Sequence, residues 1–324
     1  MSSRRSSEQL KAEAARLGFS ACGIAEARPV DQPTADYYRQ WIAEGGHADM
    51  NYLANNVDKR LDPTLLLPGA HSIVVVALNY APARRLPVGE YQIADYALGQ
   101  DYHEVIKKRL RQLKPDGLIC VDTVPILERY WAVQAGLGFI GRNHQLIIPH
   151  AGSLFFLGAI VTEAAFNHYD QPLTFDDGHH PCGSCHRCID ACPTGALKMR
   201  DVCAQPILNS QFTIHNSQFS TLNSQNCLSY QSIENRGPIA PQLADKLSPY
   251  IYGCDRCQKA CPFNNHAIPT DIPEFQPSED LMKMTREQWQ TLTPDDYRRL
   301  FRGSAVKRAK YEGLVRNIQA VSNT

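Results

Sequence analysis

The cysteines carry the strongest chemical signal in this sequence. Eleven are present, and nine of them lie in the second half of the chain, between residues 182 and 261. The first group follows the spacing Cys182-x2-Cys185-x2-Cys188-x3-Cys192. Bacterial ferredoxins have this spacing, in which three closely spaced thiolates bind one four-iron cluster and the fourth thiolate binds another. Because the chain begins without a secretory signal, reduced thiols that bind metal are favoured over disulfides.

A second group of cysteines supplies most of the remaining ligands for two clusters. Cys254, Cys257 and Cys261 end, like the first group, in a Cys-Pro pair. Two four-iron clusters need about eight thiolates, so either Cys203 or Cys227 must supply the last one. Cys227 is favoured because the apolar residues that follow it could anchor it. The crossover rule then predicts two ligand sets: Cys182, Cys185, Cys188 and Cys261 for one [4Fe-4S] cluster, and Cys192, Cys227, Cys254 and Cys257 for the other.

The competing interpretation is a pair of zinc sites, because Cys-x2-Cys pairs also bind zinc. A run of four cysteines, with proline after the terminal cysteine of each group, favours iron–sulfur clusters instead. Such clusters transfer single electrons and provide no substrate pocket. The other cysteines, Cys22, Cys120 and Cys203, are expected to be small buried hydrophobic residues or bystanders.

The chain ahead of the cysteines has the pattern of an α/β domain that could hold the chemistry. The β-branched run at 72–79 predicts a strand buried on both faces of a sheet. Residues 117–121 and 153–162 predict two more strands. Ser7 to Gly18 predicts an amphipathic helix with Ser7 as its N-cap, and Pro125 to Gly136 predicts a second helix.

Three regions are therefore expected. Residues 1–165 form the α/β domain, 166–276 a ferredoxin-type two-cluster domain, and 277–324 a basic helical C-terminal segment. The second region contains an expanded loop at about 200–226, in which Asn-Ser-Gln recurs every seven residues from Asn209. The copies are too few for a coiled coil, which favours a surface loop. Neither a Gly-x-Gly-x-x-Gly motif nor a Walker loop supports a nucleotide cofactor.

Charge and hydropathy exclude some classes of function. Thirty-three basic residues balance thirty-three acidic ones, so the chain is no polycation that coats nucleic acid or membrane by bulk charge. Residues 282–316 are an exception, with nine basic against four acidic side chains. The longest apolar run, 72–78, is too short to span a bilayer, and the N-terminus lacks the apolar stretch of a signal peptide. A cytoplasmic protein is predicted.

Several ordered blocks in this chain resemble the epoxyqueuosine reductases, which complete the queuosine base at the wobble position of certain tRNAs. The resemblance extends over nearly the whole chain and includes both cysteine groups. The other blocks are Arg60-Leu-Asp-Pro63, Leu67-Pro-Gly69, Gly99-Gln-Asp-Tyr-His103, Val121-Asp-Thr-Val-Pro-Ile-Leu-Glu-Arg129, Ala135-Gly-Leu-Gly-Phe-Ile-Gly-Arg-Asn143, Gly152-Ser-Leu-Phe-Phe-Leu-Gly158, Cys227-Leu-Ser-Tyr230 and Phe301-Arg-Gly-Ser304.

The resemblance implies a fold, cofactors and partners. It implies a nitroreductase-like α/β domain that binds cobalamin base-off, as in reductive dehalogenases, followed by the two [4Fe-4S] clusters. The partners would be a tRNA anticodon stem-loop carrying epoxyqueuosine and an electron-donor protein of flavodoxin or ferredoxin type. A monomer that does not bind membranes is expected. Anticodon-stem contacts are expected from the basic residues at 298–316.

The resemblance also implies roles for individual residues. Asp122 matches the proton donor of the family, and Cys227 matches its eighth cluster ligand. His144 and Ala159 depart from the Thr and Glu that are usual in relatives. The residues expected to line the corrin are Arg60, Tyr102, His103, Asp122, Asn143, Ser153, Ser229, Asp255 and Arg256.

The chemistry of an epoxide gives Asp122 a definite task. Its strained ether oxygen is a poor leaving group until it is protonated, which requires an acid within hydrogen-bond reach. Burial beside a corrin would raise the pKa of a carboxyl toward neutrality. The alternative is that Asp122 only caps the helix that begins near Pro125.

Two other functions compete with this one. The chain could be a plain two-cluster electron carrier, although the size of the first domain disfavours that. It could also be a cobalamin and iron–sulfur reductase that acts on a small halogenated or methylated molecule. Net charge does not distinguish RNA from such a substrate.

Overall fold

The computed structural model describes residues 5–113, 116–175, 180–199 and 220–322. An antiparallel four-stranded sheet with the order β1-β2-β7-β4 forms the centre of the N-terminal region. In the register, Ile24 of β1 lies opposite Val74 of β2, and Cys120 of β4 lies opposite Ala159 of β7. The strands are β1 (Ala21–Glu26), β2 (Ser72–Asn79), β4 (Leu118–Cys120) and β7 (Phe155–Thr162).

Strand β2 is buried on both faces, as the run of β-branched residues predicts. Val74 and Val76 face one hydrophobic cluster, which includes side chains of α1 (Ser7–Arg16) and α5 (Tyr102–Leu113). The alternate residues Ile73 and Val75 face a second cluster, which surrounds α6 (Glu128–Gln134). Since successive residues of a strand point to opposite faces, helices can cover both sides of this sheet. The fold is α/β, as expected.

Besides the two clusters that flank the sheet, a separate hydrophobic core lies in the C-terminal region and includes a segment from the N-terminal half of the chain. Buried residues between 86 and 98 pack together with buried residues between 228 and 321. Strand β3 (Gln92–Ile93) pairs in parallel with β10 (Tyr250–Tyr252). The division at residues 165 and 276 stays a prediction.

The remaining elements are short and connect or cover these two cores. Two further strand pairs, both antiparallel, are β5 (Phe139–Ile140) with β6 (Leu146–Ile147) and β8 (Leu197–Met199) with β9 (Ser220–Leu222). The other helices are α2 (Gln32–Ala43), α3 (Asn51–Ala54), α4 (Val57–Leu61), α7 (Arg187–Asp190), α8 (Leu228–Ile233), α9 (Pro241–Ala244), α10 (Arg256–Lys259), α11 (Glu279–Met282), α12 (Arg286–Gln290), α13 (Pro294–Leu300) and α14 (Lys310–Ser322).

Both predicted helices exist, with one correction at the start of each. Ser6, not Ser7, caps α1, because its hydroxyl accepts from the backbone N–H of Gln9. Ser7 is instead buried, and its hydroxyl donates to Asn167. Helix α6 begins at Glu128 rather than near Pro125. Pro125 lies in a tight turn before the helix, in which the N–H of residue 126 donates to the carbonyl of residue 124.

The sequence did not predict β1, whose small residues lack a strong strand pattern. Gly23 in this strand lies so close to the end of α6 that a Cβ would be 2.0 Å from the carbonyl oxygen of Ala135. Cys203 and the repeat copies at Asn209 and Asn216 lie outside the described residues. In the parts of the chain that the structure describes, no helix combines the length and apolar character needed to cross a membrane.

Candidate functional site

Four thiols from two distant segments share one cavity of about 230 Å³. Cys182 and Cys185 come from the loop that leads into α7, Cys188 lies in α7 itself, and Cys261 follows α10. Cys188 and Cys261 are 8% and 7% exposed. Burial, and then the proximity of the other three thiols, raises the pKa of Cys188 to about 11. The thiols are therefore close enough to repel one another when ionised, which bound iron would relieve.

The other four thiols of the predicted set form a second group. Burial, followed by the charges of Cys254 and Cys192, raises the pKa of Cys227. Burial, followed by the charges of Cys227 and Cys254, raises the pKa of Cys257. Cys188 also contributes to the shift at Cys257, so the two groups are neighbours. Helices α7 and α10 pack against each other at this point.

The spacing within these groups differs from that of a single-ion site. Across residues 5–113, 116–175, 180–199 and 220–322, no three His, Cys, Asp or Glu side chains are placed to hold one metal ion. The four thiols that line the first cavity match the number of ligands that a four-iron cluster needs.

Arg142 and Asn143 belong to the hairpin between β5 and β6 and line the first cavity. The guanidinium of Arg142 donates to the carbonyl oxygens of Cys185 at 2.6 Å and Gly183 at 2.7 Å. Asn143 is 3% exposed, and its amide oxygen accepts from the N–H of Gln145. Its amide nitrogen has no hydrogen-bond partner within the described residues. Asn143 therefore offers a buried donor where the first thiol group converges.

A second functional cluster lies at the end of β4. Asp122 has a left-handed backbone, with φ of 54°, and its carboxylate accepts from the hydroxyl of Tyr102. The Tyr102 ring stacks between Phe156 and His103, with centroids 4.2 Å from each. His103 Nδ1 lies 2.6 Å from Oδ1 of Asp101. The fold therefore brings Asp122 together with Tyr102 and His103, which come from a different sequence block.

Asp122 does not cap α6. Leu127 occupies the N-cap position, and no side chain caps that end of the helix. Asp122 follows β4, an edge strand of the sheet, and is exposed in the structure. Its burial beside a corrin stays a prediction. Its position leaves the carboxylate accessible to a substrate.

Glu128, which the sequence did not single out, is the partly buried carboxyl group of this cluster. Its Oε1 accepts from the backbone N–H of Asp122 at 2.7 Å. Burial, followed by repulsion from Asp122, raises the pKa of Glu128 to about 8. The sequence held one sign of this pairing. Asp122 and Glu128 lie six residues apart in one of the blocks that resemble the family.

Three of the predicted corrin residues lie beside the second thiol group, and their contact with a corrin stays a prediction. Arg256 donates to the sulfur of Cys254 at 3.4 Å, and the backbone N–H of Ser229 interacts with the Cys227 thiol. Asp255 is 3% exposed. Burial, followed by repulsion from Asp95, raises the pKa of Asp255 to about 7.

The last two predicted corrin residues are Ser153 and Arg60. Ser153 precedes β7, and its N–H donates to Oδ1 of Asn264 at 2.6 Å. Arg60, at the end of α4, donates to the carbonyl oxygen of Tyr52 at 3.1 Å. Nε of Arg60 is buried without a partner among the described residues. Contact of these residues with a corrin remains a prediction.

An α/β domain with an exposed acid, joined to two groups of four thiols, defines an iron–sulfur oxidoreductase. Comparison with known families specifies it further. Residues 60–116 match the family described as epoxyqueuosine reductase QueG, DUF1730. Residues 210–264 match a 4Fe-4S double cluster binding domain.

Curated relatives resemble this chain over nearly its full length. An epoxyqueuosine reductase of Cellulophaga algicola is 37% identical, with 96% of each chain covered. One from Synechocystis is 38% identical over 88% of this chain and 94% of the relative. One from Pseudomonas aeruginosa is 32% identical over 97% and 84%. The chain belongs to the epoxyqueuosine reductase family.

Solved structures show the same fold. A crystal structure of an epoxyqueuosine reductase with an epoxyqueuosine-modified tRNA-Tyr stem loop superposes with a TM-score of 0.82 at 26% identity, covering 97% of this chain and 80% of the other. The Streptococcus thermophilus enzyme gives 0.80 at 26% identity with the same coverage. The Bacillus subtilis enzyme, whose catalytic aspartate loop is swung out of the active site, gives 0.79 at 25% identity, again with that coverage.

The raised pKa of Glu128 makes the stability of the protein depend on pH. The folded state holds this proton more tightly than the unfolded chain, so its contribution is complete below about pH 4.5 and is lost as pH rises through about 8. Gln cannot ionise, so the Glu128→Gln variant does not lose stability in this way at high pH. We expect the unfolding free energy of Glu128→Gln, relative to wild type, to increase by at least about 1.4 kcal/mol from pH 5 to pH 9, the value of one pKa unit after allowance for solvent screening.

Chemical denaturation of the cluster-containing proteins at the two pH values measures this difference. Glu8→Gln removes an exposed carboxylate from α1 and serves as the matched control. A difference for Glu128→Gln that stays constant with pH, like that of the control, would show that Glu128 titrates normally.

Proposed function

We propose that this chain reduces epoxyqueuosine to queuosine in tRNA. The observation that carries the proposal is the pairing of Asp122 with Tyr102 at an exposed edge of the sheet, in a chain that also assembles two four-thiol groups. The family relationship supports the same activity, and one solved relative holds an epoxyqueuosine-modified stem loop.

The thiol groups are proposed to bind the two [4Fe-4S] clusters, which supply electrons one at a time. Their separation into two neighbouring groups fits the crossover expected of such sites. The ligands would be Cys182, Cys185, Cys188 and Cys261 in the first cluster, and Cys192, Cys227, Cys254 and Cys257 in the second.

Base-off cobalamin is proposed as the third cofactor, because it supplies a metal centre that can deliver electrons to carbon. Buried donors without partners, Nε of Arg60 and the amide nitrogen of Asn143, fit a ring that carries amide side chains. Tyr102, His103 and Ser153 are proposed to contact it from the N-terminal region, and Ser229, Asp255 and Arg256 from the C-terminal region.

Within this site, the residues of the chain handle the proton. The Tyr102 hydroxyl orients the Asp122 carboxyl group by a hydrogen bond, and the stacked rings of Phe156 and His103 restrict Tyr102. Asp122 is proposed to protonate the epoxide oxygen, which makes that oxygen a leaving group. The catalytic aspartate loop described for the Bacillus subtilis enzyme supports this role.

The partners are proposals as well. An electron-donor protein of flavodoxin or ferredoxin type would reduce the clusters, and the protein is proposed to act as a cytoplasmic monomer. In the basic segment, Arg298 pairs with Asp295, and Arg299 pairs with Asp280 and Asp296. Within residues 298–316, Arg302, Lys307 and Lys310 are exposed and form no ion pair among the described residues. These three are the better placed to contact tRNA phosphates.

The cluster assignment predicts the iron content of variants. Wild-type protein should contain about eight iron atoms per chain, and Cys227→Ser should lose one cluster. Cys203→Ser and Cys22→Ser should keep the full content. Anaerobic purification followed by iron and zinc analysis tests this, and stoichiometric zinc with little iron would disprove it.

The Asp122 assignment predicts a loss of turnover without a loss of binding. In Asp122→Asn the amide cannot donate the proton, so conversion should slow by roughly a hundredfold or more. The affinity for the stem loop should barely change, because the loss falls on the transition state. Single-turnover conversion with a chemical reductant measures this effect independently of the physiological donor. Near wild-type conversion by a variant with its full cofactor content would remove Asp122 from the mechanism.

The pairing of the basic side chains predicts which cations contact RNA. Replacing Arg302, Lys307 and Lys310 together by Gln should weaken stem-loop binding and reduce its salt dependence by about one unit of slope per lost contact. The matched double variant Arg298→Gln/Arg299→Gln should change binding little. Stem-loop affinity measured over a series of salt concentrations tests this assignment. Equal effects of the two variants would contradict it.

A further inference from the structure

The proton balance of the proposed reaction requires more than one proton. Converting an epoxide to an alkene breaks both C–O bonds, takes up two electrons and two protons, and releases the oxygen as water. The electrons enter from the low-potential donor protein. A single carboxyl group holds one proton at a time, so Asp122 must regain a proton within one turnover. This inference rests on the proposed function, and it asks where the second proton comes from.

Glu128 is an acid joined directly to Asp122 by a hydrogen bond. Its Oε1 accepts from the backbone N–H of Asp122 at 2.7 Å, which leaves its other oxygen to carry a proton. Its charge also reaches Tyr102, whose pKa is raised by burial, then by Asp122, and less strongly by Glu128. Tyr102 in turn donates to Asp122. The three groups form one continuous cluster, with Asp122 at its exposed end.

The charged and titratable groups that face Glu128 are few. Asp122 lies on the turn after β4, and Arg129 is the next residue of α6. Cys120, at the end of β4, is fully buried and feels the charge of Glu128. Tyr102 approaches from α5. Of these, Asp122 repels the charged form of Glu128 and Arg129 favours it, while burial has the largest effect.

We propose that Glu128 stores the second proton of the reaction and returns it to Asp122. Asp122 gives its proton to the epoxide oxygen, and the proton of Glu128 then passes to the Asp122 carboxylate through the Tyr102 hydroxyl or a water molecule. Asp122 donates again, and the oxygen leaves as water with both protons. Glu128 acts through Asp122 and regains its proton from solvent after turnover.

The ionisation of Glu128 is suited to this task. With a pKa of about 8, the carboxyl group is protonated at neutral pH, whereas an ordinary glutamate would have lost its proton. A proton donor is most effective when its pKa lies near the working pH. The expected signature is a fall in single-turnover conversion as pH rises through about 8.

Two variants separate proton storage from positioning. Glu128→Gln keeps an oxygen that can accept from the Asp122 N–H but cannot supply a proton. Glu128→Ala removes both functions. If Glu128 stores the proton, Glu128→Gln should slow conversion at pH 7 by at least about tenfold, with some proton delivery by water retained. The fall that wild type shows between pH 7 and pH 9 should disappear in this variant.

The experiment is single-turnover conversion of an epoxyqueuosine stem loop with a chemical reductant, from pH 6 to pH 9.5, using proteins of equal iron and cobalamin content. Glu8→Gln is the control and should keep the wild-type profile. Wild-type conversion by Glu128→Gln, together with slow conversion by Glu128→Ala, would show that Glu128 only positions Asp122. If the conversion rate of the wild type does not fall as pH rises through 8, the proposal is overturned, whatever the variants show. Absence of queuosine from the wild-type reaction would instead refute the proposed function, and this inference with it.

Discussion

The convergence of thiols from distant parts of the chain is the constraint on which the rest of the structure depends. Cys261 shares a cavity with three thiols that precede it by more than seventy residues. Cys227 meets Cys254 and Cys192 in the same way. Ionised thiols at such separations repel one another, and removing a charge from water without a partner costs energy. Local segments alone would not hold them there, so the surrounding fold must bring the two cysteine groups together.

The fold meets this requirement by tying the thiol region to the α/β domain at several points. Arg142 donates to two carbonyl oxygens of the first cysteine loop, which links that loop to the β5–β6 hairpin. Ser153, just before the central strand β7, is held by Asn264, three residues after Cys261. The parallel pairing of β3 with β10 adds a third link, shortly before Cys254. Buried hydrogen bonds of this kind are costly to break, which keeps the electron-carrying and the substrate-facing parts in one arrangement.

The sequence predicted those features that depend on local spacing or on hydrophobic pattern. The run at 72–79 is a strand buried on both faces, and the cysteine spacing grouped the thiols as the folded chain does. The antiparallel order of the sheet was not predictable, because it depends on which strands meet after long connections. The start of α6 was misplaced, since proline at a helix start and proline in a preceding tight turn look alike in sequence.

Glu128 shows most clearly why part of the site could not be predicted. A glutamate in the first turn of a helix is ordinarily a stabilising surface residue, because it interacts favourably with the positive end of the helix dipole. Its different character arises from two tertiary facts, its partial burial and the left-handed turn that brings the Asp122 N–H to its carboxylate. Asp is among the few residues that adopt this backbone region readily, so one residue type satisfies both the turn and the chemistry. The turn therefore places one carboxyl group in the open and holds the other close behind it. Burial, followed by repulsion from the Asp122 carboxylate, raises the pKa of Glu128.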